Sequence, residues 1–313
     1  MKVLLHYRPS PGFRSLLAET CPTTMELVMV DEADDAGFAR SLREVDALLH
    51  VLRPISAADL ANASRLKLIQ KIGVGVNTIA LEEAKSRGIA VCNMPGTNSQ
   101  AVAEHTLMLM LAALRRVKSF DQRLRAGHWQ PQDDDIDQVG EICGRSVGFV
   151  GFGAIPAVLA PVIAALGGKV IYTARAPKME LPWRYLDLEA LLAEADIVSL
   201  HVPADETTHG MIGKGALARM KQGAVLINTA RGALVDEVAL LEALRAGKLA
   251  AAGLDVFATE PLAGDHPLLA LPNVVATPHL AWLTPETLRR SLAIGFENCR
   301  RVMAGEDLLH RVI

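Results

Sequence analysis

The stretch SVGFVGFGAIPAVLAPVIAALGGKVIYTA, residues 146–174, decides the fold. A short apolar run, VGFV, meets Gly151-Phe152-Gly153 and passes directly into a helical pattern, after which a second apolar run begins. Strand, glycine turn and helix in that order make the turn that holds a dinucleotide. Glycine lets the backbone approach the pyrophosphate, and the helix N-terminus offers unpaired N–H groups and a partial positive charge. Gly151, Phe152, Gly153, Ala154 and Ile155 are therefore the expected cofactor-binding residues. The third glycine of the usual fingerprint is replaced by Pro156, and Ala154 stands where a basic residue would meet a phosphate. Proline is tolerated in a first helical turn, so the helix still starts; what is lost is the closest helix-to-strand approach, and a wider turn with weaker cofactor binding is expected.

The end of the second strand selects the dinucleotide. An NAD site needs a carboxylate about 20 residues past the glycines to accept from the ribose hydroxyls. Here the chain reads Thr173-Ala174-Arg175, followed by Lys178, with no acid. Arg175 can fork onto a 2′-phosphate, which makes NADP(H) the expected cofactor, with NAD the alternative.

Outward from this stretch, apolar runs alternate with helical patterns: KVLLHY, MELVMV, ALLHVL, LKLIQKIG and IAVCNM before it, and DIVSLHV, AVLINTA and AAGLDVF after it. Strands that are apolar on both faces and separated by helix-length segments indicate parallel sheets covered on both sides. The fold class is α/β, two doubly wound parallel sheets in series. Only the second carries a glycine fingerprint. A helix from about Ser99 to Arg116 bridges them, and a helix from about Pro285 to Met303 has to return to the first domain to bury its apolar face. The expected arrangement is a Rossmann domain over 98–284 inserted in a flavodoxin-like substrate domain over 1–97 plus 285–313. The acidic stretch with Asp133, Asp134 and Asp135 reads as a solvated loop.

Of the 313 residues, half are hydrophobic and 21% charged, which is enough apolar surface for two packed domains. A net charge of −3 with scattered Lys and Arg gives no field to hold nucleic acid. Cys21, Cys92, Cys143 and Cys299 form no metal or disulfide spacing, and a reducing cytoplasm is expected. The opening MKVLLHYRPSPGF reads as a first strand, not a secretory signal, and the most apolar helix, Thr106 to Leu114, is too short to span a bilayer.

Three polar motifs stand at ends of the later strands, where an open α/β sheet presents its site: INTARG with Arg231, GLDVFATEP with Asp255 and Glu260, and ATPHLAW with His279. A guanidinium, a carboxylate and an imidazole can surround one small anion. Reducing a 2-oxo acid needs a proton for the forming alkoxide, which His279 can supply, and donors for the carboxylate and carbonyl, which Arg231 can supply. Glu260 on the other ring nitrogen would fix the tautomer and favour the protonated ring.

Gly73-Val74-Gly75, PGTNSQAVAEHT, the glycine turn, NTARGALVDE, GLDVFATEP and TPHLAW together resemble the D-isomer-specific 2-hydroxyacid dehydrogenases in order and spacing across essentially the whole chain. The resemblance implies catalytic roles for Arg231, Glu260 and His279. It implies a carboxylate-binding loop at Val74 and Gly75, and places Thr229 and Asp255 near the nicotinamide carboxamide. A homodimer formed through the cofactor domain is implied as well. Asn77 departs from the family's usual Asp, and Trp282 with Leu280 replaces the small residues common after the histidine, so Trp282 is a candidate lining residue of the substrate pocket. Arg53, in VLRPIS, is a further candidate for the substrate. The TARAP segment looks like the NADPH-linked glyoxylate and hydroxypyruvate reductases of that family. Glu260 argues against a formate dehydrogenase, which carries glutamine there. A 3-phosphoglycerate dehydrogenase ranks lower because the chain stops soon after the returning helix, and a dinucleotide-sensing scaffold ranks lower because Arg231, Glu260 and His279 are all present.

Overall fold

The computed structural model describes residues 1–130 and 135–313, the side chain of residue 136 excepted, so Asp133 and Asp134 of the expected acidic loop lie outside the described residues. The chain divides into two compact units, Met1–Asn98 with Leu283–Ile313, and Ser99–Trp282. Each is an α/β unit around a parallel sheet.

In the first unit, strands β1 (Lys2–His6), β2 (Glu26–Val30), β3 (Ala47–His50), β4 (Leu68–Lys71) and β5 (Ala90–Cys92) pair in the order β2-β1-β3-β4-β5, all parallel. Helices α1 (Pro11–Thr20), α2 (Asp35–Leu42), α3 (Ala57–Ala61) and α4 (Leu81–Ser86) connect them. The starts of the first three are written into the sequence: Ser10 accepts from Phe13 N–H, Asp34 from Gly37 N–H, and Ser56 with Asp59 forms a reciprocal capping box. The terminal helix Pro285–Ala304 belongs to this unit for a specific reason. Asn298, fully buried, donates to the buried Gln70 of β4 at 2.6 Å, and this polar pair has no better place to go than against its own partner.

In the second unit, α5 (Ser99–Leu114), α6 (Val117–Arg125) and α7 (Asp135–Gln138) precede the sheet. The helix expected over Ser99 to Arg116 is α5, which ends at Leu114, and Arg116, with a left-handed φ of 52°, turns the chain into α6. Then follow β6 (Ser146–Val150), α8 (Ala154–Ala165), β7 (Lys169–Thr173), β8 (Arg184–Tyr185), α9 (Leu188–Glu194), β9 (Ile197–Leu200), α10 (Lys214–Arg219), β10 (Ala224–Asn228), α11 (Glu237–Arg245), β11 (Leu249–Leu254) and β12 (Val274–Ala276). The strand order is β12-β11-β10-β9-β6-β7-β8, again parallel throughout. The direction of winding reverses between β6 and β9, and an open sheet presents its ligand crevice at the carboxyl ends of the strands at such a point. The glycine turn leaves β6 there.

Candidate active site

Gly151 follows β6 with φ 90°, and its N–H donates to the carbonyl of Thr173 at 2.9 Å, so the turn is tied to the end of β7. A Cβ at Gly151 would lie 2.8 Å from the carbonyl oxygen of His201, which leaves glycine as the residue that fits. Among the described residues no hydrogen bond uses the N–H groups of Phe152, Gly153, Ala154 and Ile155 at the start of α8, the set of free donors a pyrophosphate requires. Pro156 occupies the first turn of α8 without preventing its start. The Phe152 ring packs edge-on against Phe149 and Tyr172, so any contact from this residue to a cofactor is through its backbone.

Past β7, Thr173 is buried while Arg175 is exposed and makes no hydrogen bond or ion pair among the described residues. The loop beneath it is fixed. Tyr172 Oη accepts from Lys178 N–H at 2.8 Å, and Tyr185 Oη donates to the carbonyl of Ala174.

At the ends of β10, β11 and β12 the structure brings together the three residues that the motifs singled out. His279 Nδ1 lies 2.6 Å from Glu260 Oε2. A carboxylate only accepts, so Nδ1 carries the hydrogen, and Nε2 makes no hydrogen bond among the described residues. The other oxygen of Glu260 accepts from Phe257 N–H at 2.9 Å. Burial raises the Glu260 carboxyl, but the bonds from His279 and Phe257 and the nearby charge of Arg231 outweigh it and hold the group below its ordinary value. Glu260 is an anion near neutrality. Arg231 has its Nη1 on the carbonyl of Ala230 at 2.6 Å, and its remaining donors make no hydrogen bond among the described residues; burial lowers its guanidinium while Glu260 opposes that shift.

The supports of this cluster are less visible in the sequence. Gly232 sits so close to the next loop that a Cβ would be 1.9 Å from the carbonyl carbon of Phe257 and 2.4 Å from the nitrogen of Ala258. Bare backbone contact therefore joins the Arg231 segment to the Glu260 segment. Glu237, in the first turn of α11, accepts from Ala258 N–H at 2.7 Å and reinforces that contact. Asn228 closes the Arg231 turn from within, donating to the Arg231 carbonyl and accepting from Ala230 N–H. Asp255, 1% exposed, spends its carboxylate on Thr277 Oγ1, Leu280 N–H and Ala281 N–H, and its carbonyl accepts His279 N–H at 2.7 Å. Its place is under the His279 turn. Thr229 is engaged with Thr106 at 2.9 Å. Trp282 donates its indole N–H to the His279 carbonyl at 3.2 Å, so it too holds that turn.

In the first unit, the loop at Gly73 to Gly75 is pinned by Met94 N–H on the Gly73 carbonyl and by Asn93 on the Val74 carbonyl. Among the described residues the N–H groups of Val74 and Gly75 have no backbone acceptor. Arg53 is folded back on its own unit: it pairs with Asp35 at 2.9 Å, approaches Asp59, and lies over the Phe38 ring at 4.7 Å. A role toward an anionic substrate would require Arg53 to exchange those partners. Among the described residues no cluster suits a metal ion, and no helix is long and apolar enough to cross a membrane.

Comparison with known proteins adds the following. The family described as D-isomer specific 2-hydroxyacid dehydrogenase, NAD binding domain, matches residues 107–281. The chain is 42% identical over 287 residues to a D-3-phosphoglycerate dehydrogenase of Mycobacterium leprae, covering 90% of this chain and 54% of that protein, so it spans about half the length of that relative. It is 40% identical over 271 residues to a glyoxylate reductase of Korarchaeum cryptofilum, covering 85% of this chain and 82% of the other. A crystal structure of a Thermus thermophilus protein superposes over the whole of both chains with a TM-score of 0.91 at 38% identity.

Proposed function

Because the chain belongs to the D-isomer-specific 2-hydroxyacid dehydrogenases, we propose that it transfers a hydride between NADP(H) and a small 2-oxo or 2-hydroxy acid, with glyoxylate and hydroxypyruvate as the leading substrates. The observation that carries this reading is the 2.6 Å contact between His279 Nδ1 and Glu260, two groups that follow different strands. When bound, the nicotinamide supplies or receives the hydride at C2 of the acid. Arg231 binds the carboxylate and polarises the carbonyl oxygen through the donors it does not spend on Ala230; the family resemblance separately implies carboxylate binding by the N–H groups of Val74 and Gly75. As the carbonyl oxygen gains negative charge, the proton on Nε2 of protonated His279 passes to it. Glu260 stabilises the protonated ring before transfer and holds the neutral ring in place after it. In the oxidative direction Nε2 takes the hydroxyl proton.

The cofactor reading is supported by Arg175, exposed and without an ion pair among the described residues on a loop fixed by two tyrosine hydroxyls, and by the lack of a carboxylate from residue 173 to residue 178. A phosphorylated hydroxy acid is the second substrate reading, favoured by the 42% identity to the mycobacterial dehydrogenase. Steady-state turnover of glyoxylate, hydroxypyruvate, pyruvate and 3-phosphohydroxypyruvate with NADPH and with NADH tests all of these. Reduction of none of them, or unchanged glyoxylate turnover in His279→Ala, overturns the proposal. We further propose a homodimer in a reducing cytoplasm. Its support is the row of exposed apolar side chains on and after α5 and α6, Met108, Leu111, Val117, Leu124 and Trp129, together with four free thiols. Leu111 and Met108 are thus surface residues, whereas Leu114 and Met110 are core. A monomer by light scattering at micromolar concentration refutes the dimer.

A further inference from the structure

Resting on the reading of His279 as proton donor and Arg231 as substrate anchor, we propose that the adjacent residues His105 and Thr106 of α5 form a brace that sets the spacing between those two side chains. Thr229, directly after β10, stands two residues before Arg231, and Thr277, directly after β12, stands two residues before His279. β11 separates the two strands, so neither loop is hydrogen-bonded to the other through the sheet. α5 packs across β10, β11 and β12, and its consecutive residues reach both loops: His105 Nε2 lies 2.9 Å from Thr277 Oγ1, and Thr106 Oγ1 lies 2.9 Å from Thr229 Oγ1.

The direction of each bond follows from counting hydrogens. Thr277 has one hydroxyl hydrogen and gives it to Asp255 Oδ1 at 2.5 Å, so toward His105 it only accepts, and the imidazole carries its hydrogen on Nε2. The same N–H faces Asp255 Oδ1 at 3.5 Å. Thr106 gives its hydrogen to the Val102 carbonyl at 2.6 Å, so Thr229 is the donor to Thr106. From His105 the path to the catalytic turn is short: Thr277, then Asp255, then the N–H groups of His279, Leu280 and Ala281. That turn needs holding, because His279 has φ 52°, a left-handed conformation that costs a residue bearing a Cβ. Burial of Thr106 and Asp255, at 0% and 1% exposure, keeps water from competing for these bonds. His105 acts while neutral, since a single N–H suffices; burial lowers its pKa, Asp255 opposing.

Because the two arms hold different groups, they give different kinetics. With NADPH and glyoxylate or hydroxypyruvate, His105→Leu should lower kcat about 10- to 100-fold with KM within about threefold, the response to a displaced proton donor. Thr106→Val should chiefly raise KM, the response to a displaced anchor. His105→Gln keeps an N–H at similar reach and Thr106→Ser keeps the hydroxyl, so each should return the parameter to within about threefold of wild type. NADPH affinity by fluorescence titration should be unchanged in both His105 variants. Equal kcat for His105→Leu and His105→Gln, or parallel losses of kcat and KM in both arms that follow thermal stability, overturns the brace. His279→Ala, run alongside, separates the levels: activity there refutes the proton-donor reading, whereas an inactive His279→Ala with a wild-type His105→Leu refutes the brace alone.

Discussion

Replacing Gly232 by alanine should separate the Arg231 and Glu260 segments and slow the reaction without emptying the cofactor site. The added Cβ would meet the Phe257 carbonyl carbon at 1.9 Å, its oxygen at 2.0 Å and the Ala258 nitrogen at 2.4 Å. All three are backbone atoms, so no side-chain rotation relieves the contact. Carbon atoms do not approach within about 3 Å, which means that a gap on the order of 1 Å has to open between the two loops, and overpacking of that kind costs about 1–3 kcal/mol. The same displacement moves Arg231 away from Glu260 and His279, and a 1 Å misplacement of catalytic groups costs about 100-fold in rate. The glycine turn after β6 stands apart from this junction, with β9 lying between β6 and β10 in the sheet, so NADPH affinity should be unchanged. The assay is kcat with glyoxylate and NADPH, beside NADPH binding by fluorescence and thermal unfolding. Gly215→Ala is the matched control: Gly215 lies inside α10, a Cβ there meets nothing within 4 Å, and the change should stabilise the protein by about 0.5–1 kcal/mol with kcat unaltered. A Gly232→Ala enzyme with wild-type kcat would refute the claim that backbone contact sets the geometry.

Arg175→Ala should weaken NADPH about 10- to 100-fold, the worth of one or two charge-assisted hydrogen bonds, and leave NADH within about threefold. Titration of both nucleotides checks it, and equal losses would remove Arg175 from cofactor selection. Acid should destabilise the first unit through His50. This fully buried ring donates Nε2–H to the Arg53 carbonyl at 2.6 Å, its Nδ1 has no partner, and burial with Lys71 nearby pushes its pKa down to about 3. Unfolded, it titrates near about 6.5, so the folded state is favoured fully above that pH and loses about 1.4 kcal/mol per unit as pH falls toward about 3, on the order of 5 kcal/mol in all. The unfolding temperature of His50→Asn should fall less steeply between pH 7 and pH 4.5 than that of wild type; identical slopes would show that His50 is not the group responsible. Glu260→Gln keeps the shape of the pair but not its charge and should lower kcat about 10- to 100-fold, on the scale of general acid–base catalysis; retention of full activity would mean that the anion is not needed.

How much of this was legible in the sequence depends on whether a feature is carried by periodicity or by encounter. The strands were readable because burial on both faces makes each an unbroken apolar run, as in VGFV and AVLIN. β8 escaped notice because it is two residues long, at the sheet edge, and begins with the exposed Arg184. α6 likewise escaped notice, because it buries no side chain and so carries no apolar stripe for the core. In the site, Arg231, Glu260 and His279 stood out as polar residues just beyond strands, where a parallel sheet presents its ligands.

Their supports did not stand out, and the reason is physical. His105 and Thr106 lie in the apolar helix AVAEHTLML, and their partners are 172 and 123 residues away. A buried polar side chain must find a partner, but local pattern does not say which one. Gly232 is similarly mute: nothing in ARGA distinguishes a glycine required by a loop arriving from Phe257 from one required by a left-handed φ, which Gly232, the first residue of a 3-10 turn, does not have. Asp255 shows the same limit from the other side. The resemblance implied a place near the nicotinamide carboxamide; what the local pattern did not show is that its carboxylate accepts three bonds as the floor of the His279 turn. A sequence thus exposes the groups that meet solvent and ligand more readily than those that hold them. The supports are where substitutions chosen from motifs alone would most underestimate the loss of activity.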